Sequence, residues 1–213
     1  MKRIALSGKP LAGKTTLSRL LVEKYGYRHA SLSDVIVEEL ANASWMQDEY
    51  GRQQVTAAEI YENKELWRQE LQSLGDSMGF QYPERVVGIM QKALQHCGAW
   101  GNPGEPVVLE SIRGEVQASA ARALGFTVIN LWVDEQTQQL RAGSLEAYHR
   151  LRNASRARPD LESGVESASI RLTQEMSLES QAEVLYNLRE EGLSNGPANQ
   201  PFKPGSLAAW EGC

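Results

Sequence analysis

Short apolar runs alternate along this chain with longer stretches whose apolar residues recur at helical spacing. Residues 3–6 read as a short buried strand. In residues 16–25, Leu17, Leu20, Leu21 and Tyr25 share one helical face, and Gly26 ends the helix. Residues 27–32 predict a second strand, with Ser33 as the N-cap of a helix over 34–40. Residues 42–56 are polar and irregular. A long helical stretch is expected over 57–78, and Pro83 opens another that ends near Gly98. After a Gly/Pro/Asn loop at 101–106, residues 107–109 predict a strand, followed by a helix ending near Gly125. Residues 126–133 give the longest strand pattern, 136–157 a helix, and 182–186 a last short strand. Strands alternating with helices predict a parallel sheet covered on both faces, here a three-layer α/β/α fold with five parallel strands.

The turn between the first strand and the first helix has its own chemistry. Gly8-Lys9-Pro10-Leu11-Ala12-Gly13-Lys14-Thr15 matches G-x-x-x-x-G-K-[ST] between a strand and a helix, the context in which that spacing cradles phosphate. Glycines at positions 8 and 13 let backbone N–H groups approach a phosphate chain, and the helix N-terminus adds partial positive charge. Gly8, Lys9, Ala12, Gly13, Lys14, Thr15 and Thr16 are therefore the expected ATP-binding residues. Lys14 is placed to reach the β- and γ-phosphates and the Thr15 hydroxyl to ligate Mg²⁺.

Composition narrows the picture. The chain has 213 residues, 41% of them hydrophobic, enough for one α/β domain with a small helical lid. A net charge of −5 and a pI of about 5.4 argue against nucleic acid or an anionic membrane as partner. No apolar run reaches the roughly 20 residues that span a bilayer. A first strand at the very N-terminus leaves no room for a signal peptide. Cys97 and Cys213, far apart in sequence, fit free thiols in a reducing cytoplasm. His29, His96 and His149 are scattered and read as surface or satisfied residues. The expected organisation is a single phosphate-loop domain over 1–191, a Gly/Pro-rich tail over 192–213, an acceptor-binding helical region over about 34–98 and a lid over about 141–160. An exposed apolar face on a long helix leaves a homodimer open.

Further candidates sit at strand ends. Glu110 follows the apolar strand 107–109, where a carboxylate holds Mg²⁺ directly or through water; the bland reading is a solvated strand-end acid. Asp34 follows the second strand and either orients Mg²⁺ and accepts a proton or is a first-turn acid on the helix dipole. Arg141, Arg150, Arg152, Arg156 and Arg158 stand against the single acid Glu146, a basic island in an acidic chain. Arginines on a mobile flap neutralise charge that builds in phosphoryl transfer, and Arg141 and Arg150 are the first candidates. Arg68 and Arg113 are each suited to clamp a substrate phosphate.

These pieces together resemble the nucleotide kinase branch of P-loop proteins, in particular the deoxynucleoside monophosphate kinases of bacteriophages and bacteria, with a related pattern in dephospho-CoA kinases. The resemblance rests on the Gly8–Thr15 loop, Ser31-Leu32-Ser33-Asp34, the R-x-x-L-Q-x-x-G match from Arg68 through Gln72 to Gly75, the Glu110-Ser111-Ile112-Arg113-Gly114-Glu115 segment, and residues 182–187. It implies transfer from ATP·Mg²⁺ to a (deoxy)nucleoside monophosphate, with Arg68, Gln72 and Arg113 at the acceptor. A dephospho-CoA or other hydroxyl acceptor is the alternative. The sequence departs from the family at Glu110 and Glu183, each in place of Asp, and at Thr15, where phage members often carry Asp. A regulatory GTPase fits less well: D-x-x-G occurs at 48–51 and 76–79, but no buried strand precedes the first and Asn63-Lys64-Glu65-Leu66 lacks the closing Asp of N-K-x-D. A P-loop ATPase or nucleotide-binding module is the remaining class.

Overall fold

The structure, a computed structural model, describes residues 3–43, 55–64, 66–80, 82–149, 165, 167–168 and 170–188. Five strands form one parallel sheet in the order β2-β3-β1-β4-β5: β1 (Arg3–Gly8), β2 (Arg28–Ser31), β3 (Val107–Ile112), β4 (Thr127–Leu131) and β5 (Ile170–Leu172). Eight helices cover most of the remaining described residues. They are α1 (Lys14–Tyr25), α2 (Leu32–Asn42), α3 (Ala57–Glu62), α4 (Arg68–Ser77), α5 (Pro83–His96), α6 (Glu115–Ala123), α7 (Glu135–Ala142) and α8 (Leu178–Asn187).

Period-two alternation divides the strands between two cores. On one face Ala5, Val107, Leu109 and Val128 meet Val35 of α2, Val86, Met90 and Leu94 of α5, and Ala118 and Ala121 of α6. On the other face Ile4, Leu6, Val108, Ile129 and Leu131 meet Leu17 and Leu21 of α1 and Ala182 and Leu185 of α8. The result is the expected α/β/α sandwich. Because every strand runs the same way, all carboxyl ends open on one edge, where α/β sheets bind ligands. A smaller cluster of Val37, Leu40 and Ile60, backed by Trp67, Leu71 and Leu74, fastens α3 and α4 to α2. No helix among the described residues is long and apolar enough to cross a membrane.

Four local expectations are corrected. Residues 182–186 are helical, inside α8, and the fifth strand is Ile170–Leu172. Ser177 caps α8 by accepting from the Ser180 N–H at 3.1 Å, and Gln181, Ala182 and Leu185 recur at helical spacing against α1. The stretch 57–78 is two helices: Thr56 and Glu59 form a capping box, and the Asn63 side chain takes the Glu59 carbonyl at 3.1 Å and closes α3. The break lets Trp67 turn into the satellite cluster. The helix expected over 136–157 ends at Gly143, whose φ of 75° breaks it, and residues 145–149 are helical again. Helix α2 starts two residues earlier than expected, with Ser31 as N-cap and its hydroxyl bonded to that of Ser33 at 2.8 Å.

Candidate functional site

The phosphate-binding loop leaves β1 at Gly8 and enters α1 at Lys14. Gly8 has φ 136°, and a Cβ there would lie 2.3 Å from the Leu131 carbonyl oxygen, so only glycine lets the loop pass the end of β4. Gly13, the α1 N-cap, has φ 95° and packs under Leu178 of α8. Leu11 takes φ 63°, a left-handed backbone that costs a non-glycine residue about 1–2 kcal/mol. The Lys14 ammonium donates to the Gly8 and Lys9 carbonyls at 2.7 and 2.8 Å, folded into the loop it lines. Thr15 and Thr16 are exposed at the first turn of α1, and Ala12 is buried beneath the loop.

Glu110 arrives from β3 by way of a bulge. Ala5 of β1 pairs with Leu109 but Ser7 pairs with Ile112, so β3 carries one extra residue, and Ser111 absorbs it at φ 73°. Bulges re-aim side chains beside active sites. Here the Glu110 Oε2 lies 3.4 Å from the Thr15 hydroxyl, and Oε1 lies 3.5 Å from Nε2 of His29. Burial pushes the Glu110 carboxyl up, but the facing imidazole of His29 and the hydroxyls of Ser18 and Thr15 outweigh it and hold it below the usual glutamate range. The same pairing, led by the bond to Glu110, raises the His29 imidazole.

The Glu110 Oε1 is buried, with the long contact to the His29 imidazole as its charge partner. A largely buried carboxylate held in its anionic form, next to a hydroxyl at the mouth of a phosphate loop, fits Mg²⁺. That ion takes one or two protein oxygens and completes its shell with substrate phosphates and water. No group of three or more His, Cys, Asp or Glu that could hold a metal ion occurs among the described residues.

Asp34 sits in the first turn of α2 at the carboxyl end of β2. Its charge reaches His29. Burial first, then the bond and charge of Asp34, push the Tyr61 phenol of α3 well above its ordinary range. The loop, Thr15, Glu110, His29 and Asp34 thus gather at the strand carboxyl ends. Arg113 is exposed just past β3, its N–H held by Gln117 Oε1 at 2.7 Å. Arg68 and Gln72 lie one turn apart on α4, whose inner face of Leu71 and Leu74 is turned to α2. Arg141 does not stand apart on a flap: its Nη1 donates to the Leu11 carbonyl of the loop at 2.8 Å. Arg150 and the other arginines of the basic island lie outside the described residues.

Three contributors escape a linear reading. His29 meets Glu110 because β2 pairs with β3, Ser31 opposite Glu110, a neighbourhood that only the strand order supplies. Leu178 and Gln138 reach the loop from far along the chain, Gln138 donating to the Pro10 carbonyl at 2.8 Å.

The chain is similar to several known proteins. A family model described as an AAA domain matches residues 4–168. Human adenylate kinase isoenzyme 5 is 32% identical over 154 residues, 70% of this chain and 26% of that protein. The adenylate kinase of Elusimicrobium minutum is 30% identical over 141 residues, 64% of this chain and 56% of that protein. The chain therefore matches about a quarter and a little over half the length of these curated relatives. A solved shikimate kinase from Acinetobacter baumannii, in complex with shikimate, aligns over 92% of this chain and 96% of its own with 18% identity and a TM-score of 0.46.

Proposed function

The chain belongs to the AAA domain family, and from that premise we propose that it transfers the γ-phosphoryl group of ATP to a small-molecule acceptor, a (deoxy)nucleoside monophosphate. The observation that carries the reading is the convergence of the Gly8–Thr15 loop with Glu110, 3.4 Å from the Thr15 hydroxyl, at the carboxyl end of a parallel sheet. The adenylate kinase relatives point the same way.

In this scheme the backbone of Gly8, Lys9, Ala12, Gly13 and Thr16 cradles the phosphates of ATP. Lys14 leaves the Gly8 and Lys9 carbonyls for the β- and γ-phosphates. Thr15 and Glu110, with Asp34 in support, hold Mg²⁺, which when bound screens charge on the phosphate oxygens. Arg113 holds the acceptor phosphate, with Arg68 and Gln72 contributing from α4. Arg150, with the rest of a lid over about 141–160, covers the transferring group and excludes water, while Arg141 acts from beside the loop, at the Leu11 carbonyl. An acceptor phosphate oxygen attacks the γ-phosphorus in line, the bond to the β-phosphate oxygen breaks, and ADP and a nucleoside diphosphate result. The attacking oxygen is already anionic, so no general base is required and Asp34 is free to serve the metal.

The test is ADP production from ATP·Mg²⁺ against the common NMPs and dNMPs, dephospho-CoA, and no acceptor. The expected result is ADP formation that requires one or several monophosphates. Turnover with dephospho-CoA alone moves the acceptor to a hydroxyl. ADP formed equally without an acceptor contradicts the kinase reading.

A further inference from the structure

Helix α7 holds the outside of the phosphate loop by two consecutive carbonyls. Gln138 Nε2 donates to Pro10 at 2.8 Å and Arg141 Nη1 donates to Leu11 at 2.8 Å. The donors are three residues apart on α7 and so share one side of the helix. In a trans peptide the carbonyl and the following N–H point in opposite directions. Holding the Pro10 and Leu11 oxygens outward therefore turns the Leu11 and Ala12 N–H groups inward. The Ala12 N–H does point across the loop, toward the Lys9 carbonyl at 3.3 Å.

Between the two carbonyls lies Leu11 in its left-handed backbone, a conformation that persists only where the surroundings over-determine it. The two contacts are not equivalent. Arg141 is exposed, whereas Gln138 is 9% exposed, so its bond is shielded from competing water. Helix α7 is fixed in turn. Asp134 caps it at the Thr137 N–H, Gln174 of the β5–α8 loop bonds to Asp134, and the Tyr148 hydroxyl donates to Glu135 at 2.8 Å.

We propose that Gln138 is a positioning residue for the phosphate chain of ATP, bracing the loop through the Pro10 carbonyl so that its N–H groups converge on the phosphates. The proposal rests on the nucleotide-binding reading above. It assigns the effect to the phosphates and not to the base, sugar or acceptor.

Calorimetric titration of the full chain with Mg·ATP and, separately, with tripolyphosphate tests it. Gln138→Met keeps the length of the arm and removes the donor; Gln138→Asn keeps the amide but cannot reach Pro10. Each variant should bind both probes about fivefold more weakly, because binding must then order a loop that the lost hydrogen bond no longer braces, with acceptor KM near that of the wild type and Tm lower by only about 2–4 °C. Wild-type affinity for both probes in either variant contradicts the brace. So does a loss confined to ATP, which would place the effect at the base. Loss of the folded state in both variants, read by circular dichroism, would make Gln138 a folding residue and equally overturn the proposal. A wild-type chain that binds neither probe removes the nucleotide reading itself and the brace with it, an outcome separate from all the others.

Discussion

A single Cβ at position 8 would stand 2.3 Å from the Leu131 carbonyl oxygen, on a backbone at φ 136°. Gly8→Ala is therefore expected to cost about 1–3 kcal/mol from the backbone alone, and to lower Tm by several degrees in thermal denaturation; an unchanged Tm would mean that β4 yields without penalty. Ser111 is the opposite case. Glycine there relieves about 1–2 kcal/mol of left-handed strain but adds about 0.5–1 kcal/mol of unfolded-state entropy. Ser111→Gly should raise stability slightly and leave the Glu110 geometry intact. Ser111→Val, β-branched at φ 73°, should lose both stability and activity, which denaturant titration and turnover measure together. Gly8, Gly13, Lys14 and Thr15 were legible in the sequence because the phosphate-loop pattern is local. His29 was not: it sits 81 positions before Glu110, and only the pairing of β2 with β3 makes them neighbours.

Elements were legible where one period dominates. Helices α1, α5 and α6 follow their apolar spacing, and their ends fall where Gly26, Pro83 and Gly125 put them. Helix α8 defeated the reading because Ala182, Val184 and Tyr186 alternate like a strand while Ala182 and Leu185 recur like a helix. The Ser177 cap and packing against α1 decide for the helix. Strand β5 has three residues, too few to show a period.

Helix α7 lends itself to a test by acid. The Thr137 N–H first, then the Gln174 amide, hold the Asp134 carboxyl below the usual aspartate range. A depressed carboxyl contributes stability that is present above its unfolded pKa, near 3.8, and lost as pH falls through the lower folded value. Asp134→Asn keeps a capping oxygen but not the charge. It should lower stability at pH 7 and flatten the acid limb, the difference from the wild type shrinking as pH falls below about 4. An acid limb identical to wild type would show that the cap does not titrate with folding.

At the scale of the molecule, a parallel sheet puts the phosphate loop, Glu110 and Asp34 on one edge although they come from three separate parts of the chain. The α/β architecture and the loop were readable from alternation and motif. Arg68, Gln72 and Arg113, proposed for the acceptor, were named from motif, but their mutual placement was not readable, because it depends on how α3 and α4 break and fold onto α2. Lys14→Ala removes the one ammonium folded into the loop and should reduce kcat by orders of magnitude while leaving Tm nearly unchanged.

The most direct test of phosphoryl transfer follows the label from γ-³²P-ATP in the presence of Mg²⁺ and the nucleoside monophosphates, for the wild type and for Lys14→Ala. The account predicts label in a nucleoside diphosphate with the wild type and almost none with the variant. Label appearing as inorganic phosphate at the same rate with and without monophosphate would contradict it.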